Sequence, residues 1–260
     1  MKTNLLIGAI SGNYTVDDVK TWVETSIWSD TNRLLLLYND NEELINYLTN
    51  NDIGVIQVPY DSWGQKTEFT TNTGTMTLQS SYNLVHNIRF FHIWDYINNS
   101  LQQDTVDKVL ITDVRDVYFN KNPFEYIDNK IIATSEVIVY EQEPWNAQHL
   151  YENLGLIGID CLLHEEVLNV GAWGGPIDLV RDMCADIYLM SVGKPKVADQ
   201  TSFNYLVRTK YKNTSRITGL DAEFAVHLHV INAGLVPFDL NNIKNFSIVH
   251  QYDRIPGFTR

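Results

Sequence analysis

Short apolar runs alternate along the chain with longer stretches in which apolar residues recur at helical spacing. The runs 5–10, 34–38 and 54–58 are continuously apolar or nearly so, as in parallel strands that are buried on both faces. Residues 16–27 and 42–48, which lie between these runs, have the spacing of helices. The first 58 residues therefore predict a βαβαβ unit.

The same alternation continues through the rest of the chain, where the pattern predicts strands at 108–112, 131–133, 167–175 and 246–250 and helices at 80–97 and 177–190. Two stretches lack a period. Residues 59–79 are rich in Thr, Gly and Asn and predict a loop without a clear strand, and residues 136–155 are irregular. We expect residues 59–79 and parts of 136–153 to be mobile until a ligand orders them.

Composition and charge narrow the possible partners. The chain has 260 residues, 44% of them apolar, which is ordinary for one large soluble α/β domain. A net charge of −13 repels phosphate backbones and anionic lipid, and this argues against nucleic acid as a partner. The first apolar run is too short for a signal peptide or a membrane span. With Cys161 and Cys184 read as small core residues, we expect a cytoplasmic protein.

Candidate chemistry gathers where the predicted strands end. Asp113 and Asp116 directly follow a buried strand, and ligands of open α/β sheets collect outside the carboxyl ends of the strands. Two carboxylates in a tight turn suit Mg²⁺ or Mn²⁺ carrying a diphosphate. The alternative is an acidic turn in which Arg115 is the internal salt-bridge partner.

Three later motifs have both a functional and a structural interpretation. The glycine-rich segment 169–176 would let the backbone approach a ligand closely, or it is only a turn. The pair Asp199 and Gln200 precedes a helix, so that Asp199 is either a site residue or an N-cap. His250 would complete a metal site and Arg254 would bind a phosphate, unless His250 is an ordinary core or surface residue.

In this order, these pieces resemble the GT-A glycosyltransferases. The segments 109–119 and 122–124, which contain TDVRDVYF and NPF, and the closing VHQYDR at 249–254 are similar to a bacterial and viral subgroup of these enzymes. The resemblance implies a single Rossmann-like GT-A domain, α/β, with a mixed central sheet flanked by helices. Its nucleotide-binding part would cover about residues 1–120, and the part that binds the acceptor and completes the metal site about residues 121–260.

The resemblance also implies an activity: metal-dependent transfer of a sugar from a nucleoside diphosphate sugar, UDP-linked above all, to a hydroxyl of a glycan acceptor. Asp113, Asp116 and His250 would bind Mn²⁺ or Mg²⁺. The spacing is DxxD rather than DxD, which leaves open which aspartate is the direct ligand. Asp199 would be the catalytic base or a carboxylate that positions the sugar.

The strand ends and the resemblance also indicate residues that would contact the acceptor sugar and the nucleotide sugar. Trp145 offers a flat face to an acceptor sugar, although tryptophans also serve as packing residues. The nucleotide sugar would be held by polar, aromatic and glycine residues, namely Ser11, Asn13, Tyr14, Arg89, Arg115, Gly171, Gln200 and Arg254.

Two other functions remain as alternatives. A sugar-1-phosphate nucleotidyltransferase would carry a basic, glycine-rich loop after the first strand, and residues 8–13 contain no basic residue. A non-catalytic carbohydrate-binding protein on the same fold would lack the metal ligands, and all three candidates are present here.

Overall fold

The computed structural model describes residues 2–58, 66–71, 74–79, 85–192, 194 and 197–257, with only the backbone described for 66–71 and 74–79. The strands are β1 (Thr3–Ser11), β2 (Thr31–Tyr38), β3 (Ile53–Gln57), β4 (Lys66–Thr71), β5 (Gly74–Gln79), β6 (Val106–Thr112), β7 (Val117–Phe119), β8 (Ile131–Val139), β9 (Glu166–Pro176), β10 (Ser215–Thr218), β11 (Ala225–His227) and β12 (Ile248–His250). The α-helices are α1 (Val16–Thr25), α2 (Glu42–Asn50), α3 (Val85–Asp95), α4 (Pro144–Leu162), α5 (Ile177–Ser191), α6 (Asp199–Arg208) and α7 (Leu228–Asn232). A π-helical turn, Tyr96–Ser100, extends α3, and short 3-10 helices cover Gln103–Thr105, Pro123–Tyr126, Tyr140–Gln142, Leu220–Ala222, Leu240–Asn245 and Tyr252–Arg254.

Seven strands form the central sheet in the order β10-β8-β9-β6-β1-β2-β3. The pairs β1–β2, β2–β3, β1–β6 and β8–β10 are parallel, and β9 runs antiparallel to both of its neighbours. The fold is therefore α/β with a mixed central sheet flanked by helices, as the sequence predicts, and it is consistent with a single Rossmann-like domain.

The continuous apolar pattern of β1 has a direct structural reason. Leu5 and Ile7 pack into a core with α3, α5 and α6, whereas Leu6 and Ile10 pack into a second core with α1 and α2. Because helices cover both faces of the sheet, neither set of alternating side chains faces water.

A second, three-stranded sheet of order β11-β12-β7 brings distant parts of the chain to the end of β6. β12 pairs antiparallel with β7, and His250 is opposite Val117. The backbone N–H of Gln251 donates to the carbonyl of Asp116 at 2.7 Å. This small sheet fixes the end of β12 against the turn that follows β6.

The stretch 59–79 contains more structure than predicted, because β4 and β5 pair there as an antiparallel hairpin with Phe69 opposite Met76. The Thr-rich composition that predicts a loop here is equally compatible with strands, because Thr is β-branched. Residues 59–65 and 72–73, on which part of the predicted mobility falls, lie outside the described residues, and so do residues 80–84 at the start of the predicted helix 80–97.

The stretch 136–155 is also more regular than predicted. β8 continues to Val139, and α4 begins at Pro144 after Glu143, whose carboxylate accepts a hydrogen bond from the N–H of Asn146 at 2.6 Å. Two irregularities remain in this stretch: β8 shifts its register with β9 between Ser135 and Val139, and Gly155, with a φ of 61°, interrupts α4 within its length.

The prediction of two core cysteines is wrong for one of them. Cys184 is buried in α5, but Cys161 is exposed on α4. No helix among the described residues is both long enough and apolar enough to cross a membrane.

Candidate functional site

Asp113, Asp116 and His250 meet at the carboxyl end of β6. Asp113 directly follows that strand, and its N–H donates to the carbonyl of Gly171 on β9 at 2.8 Å. The Nε2 atom of His250 lies 3.4 Å from Oδ2 of Asp113 and 3.6 Å from Oδ1 of Asp116. One ligand atom from each of the three residues lies within 4.8 Å of the others.

The donor set of this cluster fits a divalent cation. Nε2 of His250 is buried without a hydrogen-bond partner, and an orphaned buried polar atom is costly unless a ligand satisfies it. Two carboxylates and one imidazole together supply oxygen and nitrogen donors to one point. The three side chains therefore have the chemistry and spacing of a metal site.

The backbone of β9 passes close to this cluster at Gly171. A Cβ placed on Gly171 would lie 2.6 Å from Oδ2 of Asp113 and 2.6 Å from Cε1 of His250. These separations are shorter than van der Waals contact, so a larger residue would displace the candidate ligands. The glycine-rich segment thus includes a position where the main chain approaches the site closely.

His227, which the sequence reasoning missed, supports His250 from behind. Its Nδ1 lies 3.0 Å from Nδ1 of His250, and the two residues are register partners on β11 and β12. Burial lowers the pKa of His227, and the neighbouring His250 lowers it further. His227 is therefore neutral, and its Nδ1 can accept a hydrogen bond from the Nδ1–H of His250. This contact orients His250 with Nε2 toward the carboxylates, as outer partners of metal-binding histidines commonly do.

The two aspartates of the cluster differ electrostatically. Burial would raise the pKa of Asp113, but Arg89 and His250 outweigh burial and hold that pKa well below its usual range. Burial raises the pKa of Asp116, and the charge of Asp113 adds to the rise although His250 opposes it. Burial would lower the pKa of His250, but Asp116 and Asp113 raise it overall.

Arg89 joins Asp113 to Asp199. One terminal nitrogen lies 2.6 Å from Oδ1 of Asp113 and the other 3.0 Å from Oδ2 of Asp199. The remaining oxygen of Asp199 accepts a hydrogen bond from the N–H of Gln200 at 2.8 Å. The N-cap interpretation of Asp199 is wrong, because Ala198 occupies that position of α6.

Two adjoining cavities open at this edge of the sheet. The larger, of about 520 Å³, is lined by the metal candidates and by Arg89, Glu136, Trp145, Gly171, Asp199, Gln200 and Arg254, among others. The smaller, of about 250 Å³, is lined by Arg89, Asp113 and Asp116 again, together with Ser11, Tyr14, Arg115 and Arg254. The structure thus brings together all the predicted site residues except Asn13, which lines neither cavity.

Arg115 does not form the internal salt bridge of the acidic-turn interpretation. Its guanidinium lies 2.9 Å from Asp253, in the 3-10 helix that follows β12, and its side chain is half exposed. Trp145 is 52% exposed at the rim of the larger cavity, and its ring stacks against His149. Both side chains are therefore accessible at the edge of the site.

Glu136 and Asn169 line the larger cavity but are not named among the predicted site residues, although they lie in the irregular stretch 136–155 and the glycine-rich segment 169–176. Nδ2 of Asn169 donates to Oε1 of Glu136 at 2.7 Å, and both residues are buried. The sequence does contain a signal for Glu136. It is the one acidic residue of β8, whose other residues are apolar or carry a hydroxyl group.

No protein-family model matches this chain, and no curated protein sequence is significantly similar to it.

Proposed function

We propose that this protein is a glycosyltransferase that uses a divalent metal, Mn²⁺ or Mg²⁺, to move a sugar from a nucleoside diphosphate sugar, UDP-linked above all, to a hydroxyl of a glycan acceptor. One observation carries the proposal. The Asp113, Asp116 and His250 cluster lies between two adjoining cavities at the carboxyl ends of parallel strands, where α/β folds bind nucleotides.

The smaller cavity is the proposed site of the nucleotide. Tyr14 is half-buried there and offers a ring on which a base can stack, and Ser11 offers a hydroxyl. Arg254 lines both cavities, so its guanidinium can bind a diphosphate at their junction. When bound, a divalent cation at the cluster would neutralise the charge that develops on the departing diphosphate.

The larger cavity is the proposed site of the transferred sugar and the acceptor. Arg89 holds the carboxylate of Asp199 in place, and Asn146 accepts a hydrogen bond from the side chain of Gln200 at 2.8 Å. Asp199 and Gln200 thereby present fixed polar groups to sugar hydroxyls. Trp145 at the rim can stack on an acceptor ring.

A turnover screen tests the proposal. UDP-, GDP- and dTDP-sugars are offered with Mn²⁺ and a panel of methyl glycosides, and release of nucleoside diphosphate and glycoside extension are measured. We expect one donor to be consumed, EDTA to abolish the reaction, and Asp116→Ala and His250→Ala to lower both activity and Mn²⁺ binding. Removal of the charge-stabilising cation is the physical reason.

The matched control is Asp178→Ala, which removes a carboxylate that is 72% exposed and belongs to a surface ion pair. Its activity should equal that of the wild type. Full activity in EDTA would contradict the metal site, and nucleotide binding without any turnover would instead support the carbohydrate-binding alternative.

A further inference from the structure

Glu136 is held in the larger cavity by an irregularity in β8. The pairing of β8 with β9 shifts register between Ser135 and Val139, so Glu136 lies where the two strands separate. Bulges of this kind re-aim side chains and are frequent beside active sites. Glu136 is only 5% exposed, yet it lines the cavity together with the metal candidates.

The backbone beside Glu136 is strained. Val137 has a φ of 60°, in the left-handed region that β-branched residues rarely adopt. Two hydrogen bonds of the Ser135 hydroxyl hold the strained turn in place. The hydroxyl accepts a hydrogen bond from the N–H of Val137 at 2.8 Å and donates one to the carboxylate of Glu166 at 2.6 Å. Strain that is held in place at a cavity wall is a feature of functional sites.

The two buried carboxyl groups of this cavity, Glu136 and Asp199, differ in whether one oxygen is left without a hydrogen bond and can therefore take up a proton. Both oxygens of Asp199 have partners, Arg89 and the N–H of Gln200. Glu136 has a single hydrogen bond among the described residues, from Asn169 to Oε1, which leaves Oε2 without one. A proton acceptor needs a free oxygen within reach of the reacting hydroxyl.

The proton affinity of Glu136 is compatible with such a role. Burial raises its pKa to about 7, although the hydrogen bond from Asn169 and the charge of His250 act in the opposite direction. The charged or titratable groups that face it are His250 from β12, Glu143 at the start of α4, and Tyr140 in its own segment. General bases work best when their pKa lies near the pH of the reaction.

Building on the glycosyltransferase function proposed above, we propose that Glu136 is the catalytic base that receives the proton of the acceptor hydroxyl, while Asp199 positions the donor sugar. In this step the acceptor O–H bond breaks and its proton passes to Oε2 of Glu136. The acceptor oxygen forms a bond to the anomeric carbon. The bond from that carbon to the phosphate oxygen breaks, and its electron pair leaves with the nucleoside diphosphate.

The test compares two carboxyl-to-amide changes in one cavity. For the donor and methyl glycoside that the wild type uses, Glu136→Gln should lower kcat about 100-fold or more. Its affinity for the nucleoside diphosphate with Mn²⁺ should stay within twofold of the wild type, and its melting temperature should change little. Asp199→Asn should instead raise the donor KM more than it lowers kcat. Glu141→Gln, at an exposed carboxylate outside the cavity, is the control and should match the wild type.

Each result decides between the possibilities. A Glu136→Gln protein with kcat within threefold of wild type, or one that loses nucleotide affinity in parallel with kcat, overturns the role of Glu136 alone. A wild-type protein that consumes no donor overturns the glycosyltransferase function and this role together.

If Glu136→Gln does not fold, the pH profile of the wild type decides. The kcat/KM should rise as the pH passes upward through about 7, where Glu136 loses its proton. A profile that is flat between about pH 5.5 and 8.5 overturns the role.

Discussion

The site has two halves, which differ in whether their charged groups have close partners. In the paired half, Arg89 bridges Oδ1 of Asp113 and Asp199, and all three groups have partners within 3.0 Å. In the open half, formed by Asp116, His250 and Glu136, Nε2 of His250 has no hydrogen bond and only longer contacts, 3.4 Å to Oδ2 of Asp113 and 3.6 Å to Oδ1 of Asp116.

Unsatisfied buried groups lower the stability of a fold, whereas paired ones maintain it. The paired half thus holds the geometry, and the open half keeps atoms available for a ligand. Variants in the paired half should therefore change mainly the free energy of unfolding, and variants in the open half mainly the affinity for a ligand.

Arg89→Met should destabilise the protein strongly. It leaves the carboxylate of Asp199, which is 3% exposed, buried without a cation, and breaking a buried pair by removing one partner costs about 3–5 kcal/mol. Asp113 also loses its cation but is 35% exposed, so water offsets part of that loss. The free energy of unfolding in urea at pH 7 measures the loss.

Arg181→Met is the matched control, because Arg181 also bridges two aspartates, Asp178 and Asp182, but these are 72% and 53% exposed. It should cost less than about 1 kcal/mol. Equal losses in the two variants would refute the claim that Arg89 has a special structural role.

His227→Gln should weaken Mn²⁺ binding about 10- to 100-fold while the protein remains folded, because outer partners orient metal-binding histidines. Calorimetric titration of the protein with Mn²⁺ measures the affinity. His92→Gln is the control, since His92 is another partly buried histidine, bonded to Tyr38 away from the cluster. Unchanged Mn²⁺ affinity in His227→Gln would show that His250 needs no such support.

Asp113→Asn and Asp116→Asn should change the stability of the metal-free protein in opposite directions at pH 7. The pKa of Asp113 is lowered on folding, so its ionised form stabilises the fold above the ordinary value of 3.8, and Asn loses that contribution. The pKa of Asp116 is raised on folding, so its ionised form lowers stability at pH 7, and Asn removes that cost.

Urea unfolding at pH 7 and pH 3 tests this pair of variants. The stabilisation by Asp116→Asn should vanish below pH 3.8, where Asp116 is protonated in both states, and the deficit of Asp113→Asn should shrink as the pH falls further. The same sign for both variants at pH 7 would contradict the division between the halves.

Much of this arrangement could be predicted from local sequence. The alternation of apolar runs and helical spacing predicts the α/β sheet, and strand ends predict where Asp113 and Asp116 lie. The position of His250 beside them depends on a second sheet that pairs β12 with β7, which no local pattern specifies. Its place at the end of a predicted strand makes His250 a candidate ligand, and only the resemblance to GT-A enzymes joins it to the two aspartates.

Contacts that depend on strand register or on long-range pairing could not be predicted from the sequence. Arg89 has two partners that lie far from it in the chain, and His227 reaches His250 only through the pairing of β11 with β12. Glu136 lines the cavity because β8 leaves its register with β9, and a register shift of this kind has no reliable local signal.

The candidate ligands also have a consequence for folding. Asp113, which follows β6, and His250, at the end of β12, are distant in sequence. The unfolded chain therefore has no preformed site, and ligand occupancy is thermodynamically linked to the global folding equilibrium. A cation at one hundred times its dissociation constant would add about 2.7 kcal/mol to the stability of the whole domain. Metal binding would then stabilise the folded protein even in the absence of any sugar donor.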